Sequence, residues 1–140
     1  REPARETVIL VGHGPTEDAD NQRWVATMQH LASRVKRAGG FRDVLTSTLR
    51  DDAPRSVHEQ AARALREAVQ QATQTSRVLI VPLLIAQGGI EDKIPKLLAG
   101  LSFVYQGRTL LPHDKIETWI RQQAAQLAQQ AGAHQVAVVQ

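Results

Sequence analysis

The sequence predicts an α/β fold: a three-layer sandwich whose central sheet is mainly parallel and has four or five strands. Three observations lead there. Short apolar runs alternate with longer segments of helical periodicity, the pattern of β-α-β units. The first run, Val8-Ile9-Leu10-Val11, is apolar without a break, as in a strand buried on both faces. The 140 residues suit one domain, taken as residues 1–140, with no internal repeat, linker or low-complexity tract.

The elements follow in order. The first strand stops at Gly12-His13-Gly14-Pro15. Trp24, Val25, Met28, Leu31, Ala32 and Val35 then share one helical face, and Gly39-Gly40 closes that helix. Val44 to Leu49 reads as a second strand; its three hydroxyl residues place it near an edge. Asp51-Asp52-Ala53-Pro54 supplies an acidic cap and an early proline for a second helix. The face of that helix is Val57, Ala61, Ala64, Leu65, Ala68, Val69 and Ala72. Val78 to Ile85 is the most apolar run and reads as a central strand, with an irregularity at Pro82. After the turn Gln87-Gly88-Gly89, a short helix runs from Glu91 to Leu98 and is stopped by Gly100. Phe103-Val104-Tyr105 and Thr109-Leu110-Leu111 read as a fourth strand, or as two pieces broken at Gly107. Asp114 caps the last long helix, with Glu117 completing a capping box. The buried face of this helix is Ile116, Trp119, Ile120, Ala124 and Leu127, and Gly132 ends it. Val136 to Val139 offers a fifth strand.

Composition narrows the function. Apolar residues make up 42% and charged residues 22%, an ordinary globular balance. The formal charge is +3 and the pI about 9.8. No basic block is interleaved with aromatics, so nucleic acid is not an expected partner, whereas a small anionic ligand suits the mild excess. There is no cysteine, which excludes disulfides, thiolate metal sites and cysteine nucleophiles. No apolar run reaches the roughly 18 residues of a membrane helix, and no membrane association is expected. The chain opens on Arg rather than Met. A cytoplasmic protein is favoured, with an exported mature form left open.

In an open parallel sheet, ligands bind beyond the carboxyl ends of the strands, where the winding reverses. The first tip carries His13 between two glycines, which leave room for a bulky ligand to approach the imidazole. An imidazole can bind a divalent metal or take a proton near neutral pH; the plain alternative is a histidine that only closes the strand. The second tip offers Arg50, Asp51 and Asp52, and the third offers Gln87, Gly88, Gly89 and Glu91. His13 and Glu91 on adjacent tips would make a two-ligand metal site open to water or substrate. The alternative for Glu91 is an anion in the first turn of a helix. His113 reads as structural, and His30, His58 and His134 as surface residues. Arg50, Lys93 and Lys96 are either cations for an acidic ligand or solvated surface.

Val8-Ile9-Leu10-Val11-Gly12-His13-Gly14 resembles the opening strand and His-Gly motif of the small sirohydrochlorin chelatases, the CbiX type. Val81-Pro82-Leu83-Leu84-Ile85, a glycine turn and Ile94-Pro95 are similar to their second signature, and Leu111-Pro112-His113 to a third. The resemblance spans about Glu6 to Ala128. It implies a class II chelatase fold, a homodimer, and ATP-independent insertion of Co²⁺ or Fe²⁺ into a sirohydrochlorin-like tetrapyrrole. The divalent ion is then a substrate, and no organic cofactor is implied. The family uses two histidines as metal ligand and base. His13 matches the first; the second position falls on Gly89, or on Glu91 if two residues are deleted. Pro15 also stands where the family often has Ser. By this resemblance His13 and Glu91 are the catalytic and metal-binding residues, with Gly14, Gly88, Gly89 and Arg50 lining the substrate. The alternative is a non-catalytic metal- or tetrapyrrole-binding module that has lost the second histidine. A histidine phosphotransferase is disfavoured because Gly12 stands where an Arg would precede the histidine. A dinucleotide fold is disfavoured because the spaced glycines after the first strand are missing.

Overall fold

The computed structural model of the chain describes residues 2–131. It divides into two compact units, Arg1–Thr109 and Leu110–Gln140.

The first unit opens with a single 3-10 turn, Pro3–Arg5, followed by β1 (Glu6–Gly12), α1 (Asp18–Gly39), β2 (Asp43–Thr48), α2 (Arg55–Thr73), β3 (Arg77–Leu83), α3 (Ile90–Leu97) and β4 (Val104–Tyr105). The sheet is parallel throughout, in the order β2-β1-β3-β4. Every residue of β1 is buried, because β1 is central and covered on both faces. Val8 and Leu10 pack with Met28 and Ala32 of α1 and with Val44. Ile9 and Val11 point the other way, into a larger cluster with Leu49, Leu65, Val69, Val78, Ile80, Ile94 and Leu98 from β2–α2, β3 and α3. The unbroken apolar run is therefore two period-2 faces, each with its own helical layer. This is the expected three-layer sandwich. β2 lies at the edge, as its hydroxyl residues indicated.

Local chemistry accounts for the boundaries and for several differences from expectation. Gly40 takes the left-handed conformation (φ 66°) that ends α1, and its N–H closes on the Lys36 carbonyl. Trp24 and Leu31 stand exposed on α1, so its buried stripe is narrower than the apolar spacing suggested. α2 has Pro54 as its N-cap and no side-chain cap. The acidic pair Asp51-Asp52 does not cap it, because both carboxylates bond elsewhere. The buried stripe of α2 is Ala62, Leu65 and Val69, rotated from the expected face, with Ala64 exposed. β3 ends at Leu83, short of Ile85. Pro82 is tolerated because β4 pairs only with Leu79 and Ile80, so no β4 ladder bond is required of its missing N–H. β4 has two residues, and Thr109-Leu110-Leu111 forms no strand beyond the left-handed Gly107.

In the second unit, α4 spans Asp114–Ala131. Its cap is His113 rather than Asp114. The Lys115 N–H donates to His113 Nδ1 (3.1 Å), and the Ile116 and Glu117 N–H groups donate to the His113 carbonyl. Glu117 pairs with Arg121 along the helix instead of closing a capping box. Trp119, Ile120 and Leu127, expected to be buried, are exposed. Gly132, His134 and the strand expected at Val136 to Val139 lie outside the described residues.

Candidate functional site at the carboxyl edge of the sheet

The chain winds from β1 outward to β2, then crosses back to β3 on the other side of β1. The helix after β1 covers one face, while the helices after β2 and β3 cover the other. The connections leaving β1 and β3 therefore part company, and the crevice between them is the switch point where such sheets take ligands. Gly12 is in register with Leu83 on β3 and with Thr48 on β2. His13 thus leaves the sheet one residue beyond that line, beside both neighbouring tips.

His13 is firmly held. Its carbonyl accepts from the Arg50 N–H (2.6 Å), and the Gly12 carbonyl accepts from the Leu49 N–H (3.0 Å), extending the β1–β2 ladder past the end of β2. The ring Nδ1 lies 3.0 Å from the Gly14 carbonyl. A carbonyl only accepts, so Nδ1 carries a hydrogen, and in the neutral ring the lone pair is on Nε2. Nε2 faces the exposed Asp52 carboxylate at 3.4 Å. Such an imidazole can take a proton or a metal at Nε2, with Asp52 placed to stabilise the charge gained.

The turn after β2 supplies the rest of this wall. Arg50 adopts φ 52°, a left-handed conformation unusual for a side chain of its size. It is buried. Nε donates to the Pro15 carbonyl (3.1 Å), one terminal nitrogen donates to the Thr16 carbonyl, and the other pairs with Asp18 (2.7 Å). Arg50 therefore ties down the 15–18 loop. That is neither the solvated surface nor the open cation suggested by sequence. Gly14, at φ 76°, has no room for a side chain: a Cβ would lie 2.6 Å from Thr48 Cβ and 3.0 Å from Asn21 Oδ1. Its missing side chain admits the packed loop, where sequence suggested access for a ligand. Asp51 pairs with Lys93 Nζ (2.6 Å) and lies 3.9 Å from His58 Nε2. His58, read as surface, is three-quarters buried at its side chain, and its Nδ1 donates to the Leu49 carbonyl (2.8 Å).

The β3 side carries Glu91 at the start of α3, where the left-handed Gly89 (φ 93°) is the N-cap. The buried Glu91 carboxylate accepts from the Gly88 N–H at 3.2 Å on both oxygens and from the Gly89 N–H at 3.1 Å. Its own N–H and that of Gly88 hold its pKa below the ordinary carboxylate value; burial opposes this, and the Gly89 N–H adds to it. Pro95 lies four residues on, inside α3, and cannot donate to the Glu91 carbonyl as a helical residue would. The Tyr105 hydroxyl fills that place at 2.6 Å. Burial, then the nearby charges of Glu91 and Asp92, push the Tyr105 pKa up, so it stays a donor. No side chain at Gly88 or Gly89 would meet anything within 4 Å, so this rim is open.

The fold thus brings His13 to Asp52 and Glu91 to the amides of Gly88 and Gly89, and no polar contact joins His13 to Glu91 among the described residues. Nor, among them, do three or more His, Asp or Glu side chains gather in a way that could hold a metal ion. A groove of about 630 Å³ runs along β3 and β4 between Glu6 and Arg108, and neither His13 nor Glu91 lines it. From the sequence, Asp52 reads only as part of a strand tip and a helix start. The signal for His58 was its spacing: 58, 62, 65 and 69 form one helical stripe, and the last three are buried. The signal for Tyr105 was Pro95, whose missing N–H leaves the Glu91 carbonyl needing a donor.

A parallel sheet wound both ways from β1 defines the class: a doubly wound α/β domain, a fold whose members take ligands at the carboxyl edge. Residues 7–136 match the CbiX family, and the chain belongs to it, the family of sirohydrochlorin chelatases. No curated protein and no solved structure matches the chain. Among the described residues, no helix is long and apolar enough to cross a membrane.

Proposed function

We propose that the protein inserts a divalent metal ion, Co²⁺ or Fe²⁺, into sirohydrochlorin without ATP, as a chelatase of the lyase class acting as a homodimer. One observation carries the reading. His13 presents an Nε2 lone pair at the switch point, its tautomer set by the Gly14 carbonyl and its gained charge answered by Asp52. His13 binds the incoming metal or takes a pyrrole proton. Asp52 steadies the imidazolium that results. Glu91, held ionised by the amides around it, serves as an anionic anchor for the cation rather than as a base. Gly88 and Gly89 leave open space for the macrocycle. Arg50 and Gly14 contribute by fixing the loop beside it.

The test is anaerobic absorbance of sirohydrochlorin with Co²⁺, with and without protein. Insertion faster than the protein-free control, cut by roughly 100-fold or more in His13→Ala, is the expected result. A second reading, a binding module without turnover, is favoured by one observation: the Glu91 carboxylate already has amide partners. Bound tetrapyrrole with insertion no faster than the control would establish it instead.

A further inference from the structure

We propose that His58 is a second proton acceptor of this cleft, working beside His13; the proposal rests on the chelatase reading above. Placing a divalent ion in a neutral tetrapyrrole breaks two pyrrole N–H bonds. Each electron pair stays on its nitrogen and becomes a bond to the metal, and two protons must be taken up. His13 Nε2 has one lone pair. Glu91 is a weak acceptor, because the amides that hold its carboxylate favour the ionised form.

His58 repeats the arrangement of His13. In each ring Nδ1 donates to a backbone carbonyl: Gly14 at 3.0 Å for His13, Leu49 at 2.8 Å for His58. In each neutral ring the lone pair is on Nε2, which lies near a carboxylate: Asp52 at 3.4 Å, Asp51 at 3.9 Å. The two carboxylates are consecutive residues of one turn. Leu49 joins the pair, since its N–H holds the Gly12 carbonyl and its own carbonyl holds the His58 ring. Both rings are partly exposed, His13 by a third and His58 by a quarter. A purely structural His58 would need only its Nδ1 bond. Asp51, held from the other side by Lys93 of α3, also sets a carboxylate beside Nε2. The other charges near His58 along α2, Arg55 and Glu59, pair with each other at 2.7 Å. In the proposed step a pyrrole proton passes to His58 Nε2, the imidazolium is stabilised by Asp51, and the proton then leaves to water.

His58→Asn separates the two roles, because the Asn amide can still donate to the Leu49 carbonyl but has no second ring nitrogen. The measurements are kcat and KM for Co²⁺ insertion across the acid limb of the pH profile, with Tm alongside. The expected result is an unchanged Tm and KM, a kcat lowered by roughly 10- to 100-fold, and an acid limb that falls from two protons to one. Wild-type kcat and pH profile in His58→Asn would overturn the proposal and leave the chelatase reading standing. A lowered kcat with an unaltered acid limb would also overturn it. No insertion by the wild-type protein would overturn both. If His58→Asn does not fold, the wild-type acid limb decides: one proton overturns the proposal, and two, with the His58 ring titrating by NMR over the same range, support it.

Discussion

At the scale of single residues, Glu91 is a buried carboxylate whose charge is favoured by the amides around it. Its carboxylate accepts from the amides of Gly88 and Gly89, so the folded chain favours the ionised form. A carboxyl whose pKa is lowered on folding adds stability that is full above its ordinary value of 4.5 and fades as pH falls through the lower folded value. Glu91→Gln should therefore have a lower Tm than wild type at about pH 7, and the gap should close as the solution is taken below about pH 4. A gap that stays constant over that range would show that the charge is irrelevant there. The sequence made His13 and Glu91 visible, each at a strand tip. It left their partners open, because partners depend on which carbonyls and amides a loop brings round. Asp52 and the Gly14 carbonyl are partners of His13 in a chain whose 13–18 loop is folded back and tied by Arg50, which the residue order alone does not reveal.

At the scale of elements, α3 shows one defect repaired from another strand. Pro95 removes a donor from the helix, and the Tyr105 hydroxyl of β4 supplies one. Tyr105→Phe leaves the Glu91 carbonyl unanswered and should cost about 1–3 kcal/mol in urea unfolding. Pro95→Ala restores the helical N–H, so Tyr105→Phe made in that background should cost well under half as much. Equal costs in both backgrounds would mean that the hydroxyl is not replacing the missing N–H. Helices and strands were legible in the sequence wherever period and punctuation agreed: β1 from its apolar run, α1 from Gly40, β2 from its hydroxyl residues. Capping was less legible. Asp51-Asp52 and Asp114 have the composition of caps, yet tertiary pairing draws Asp51 to Lys93 and Asp52 to His13, and His113 is the cap of α4.

At the scale of the whole molecule, the strand order β2-β1-β3-β4 bears on where chemistry can sit, since among the described strands the connections diverge only between β1 and β3. The alternation of elements predicts the layers, and the layers predict that edge; the fold class was therefore the most legible feature of all. The net charge of +3 belongs to this scale too. A macrocycle bearing carboxylates should associate faster at low ionic strength, and its association rate should fall several-fold when salt is raised from about 0.01 M to 0.15 M. A rate indifferent to salt would rule out long-range attraction. The two rungs that continue the β1–β2 ladder past its end, Leu49 to Gly12 and Arg50 to His13, have one more consequence. They immobilise the histidine backbone when the chain folds, so its conformational freedom is surrendered long before a ligand arrives. On the chelatase reading proposed above, an arriving ligand would meet a preorganised group, and the entropy of ordering that group would not weaken the encounter.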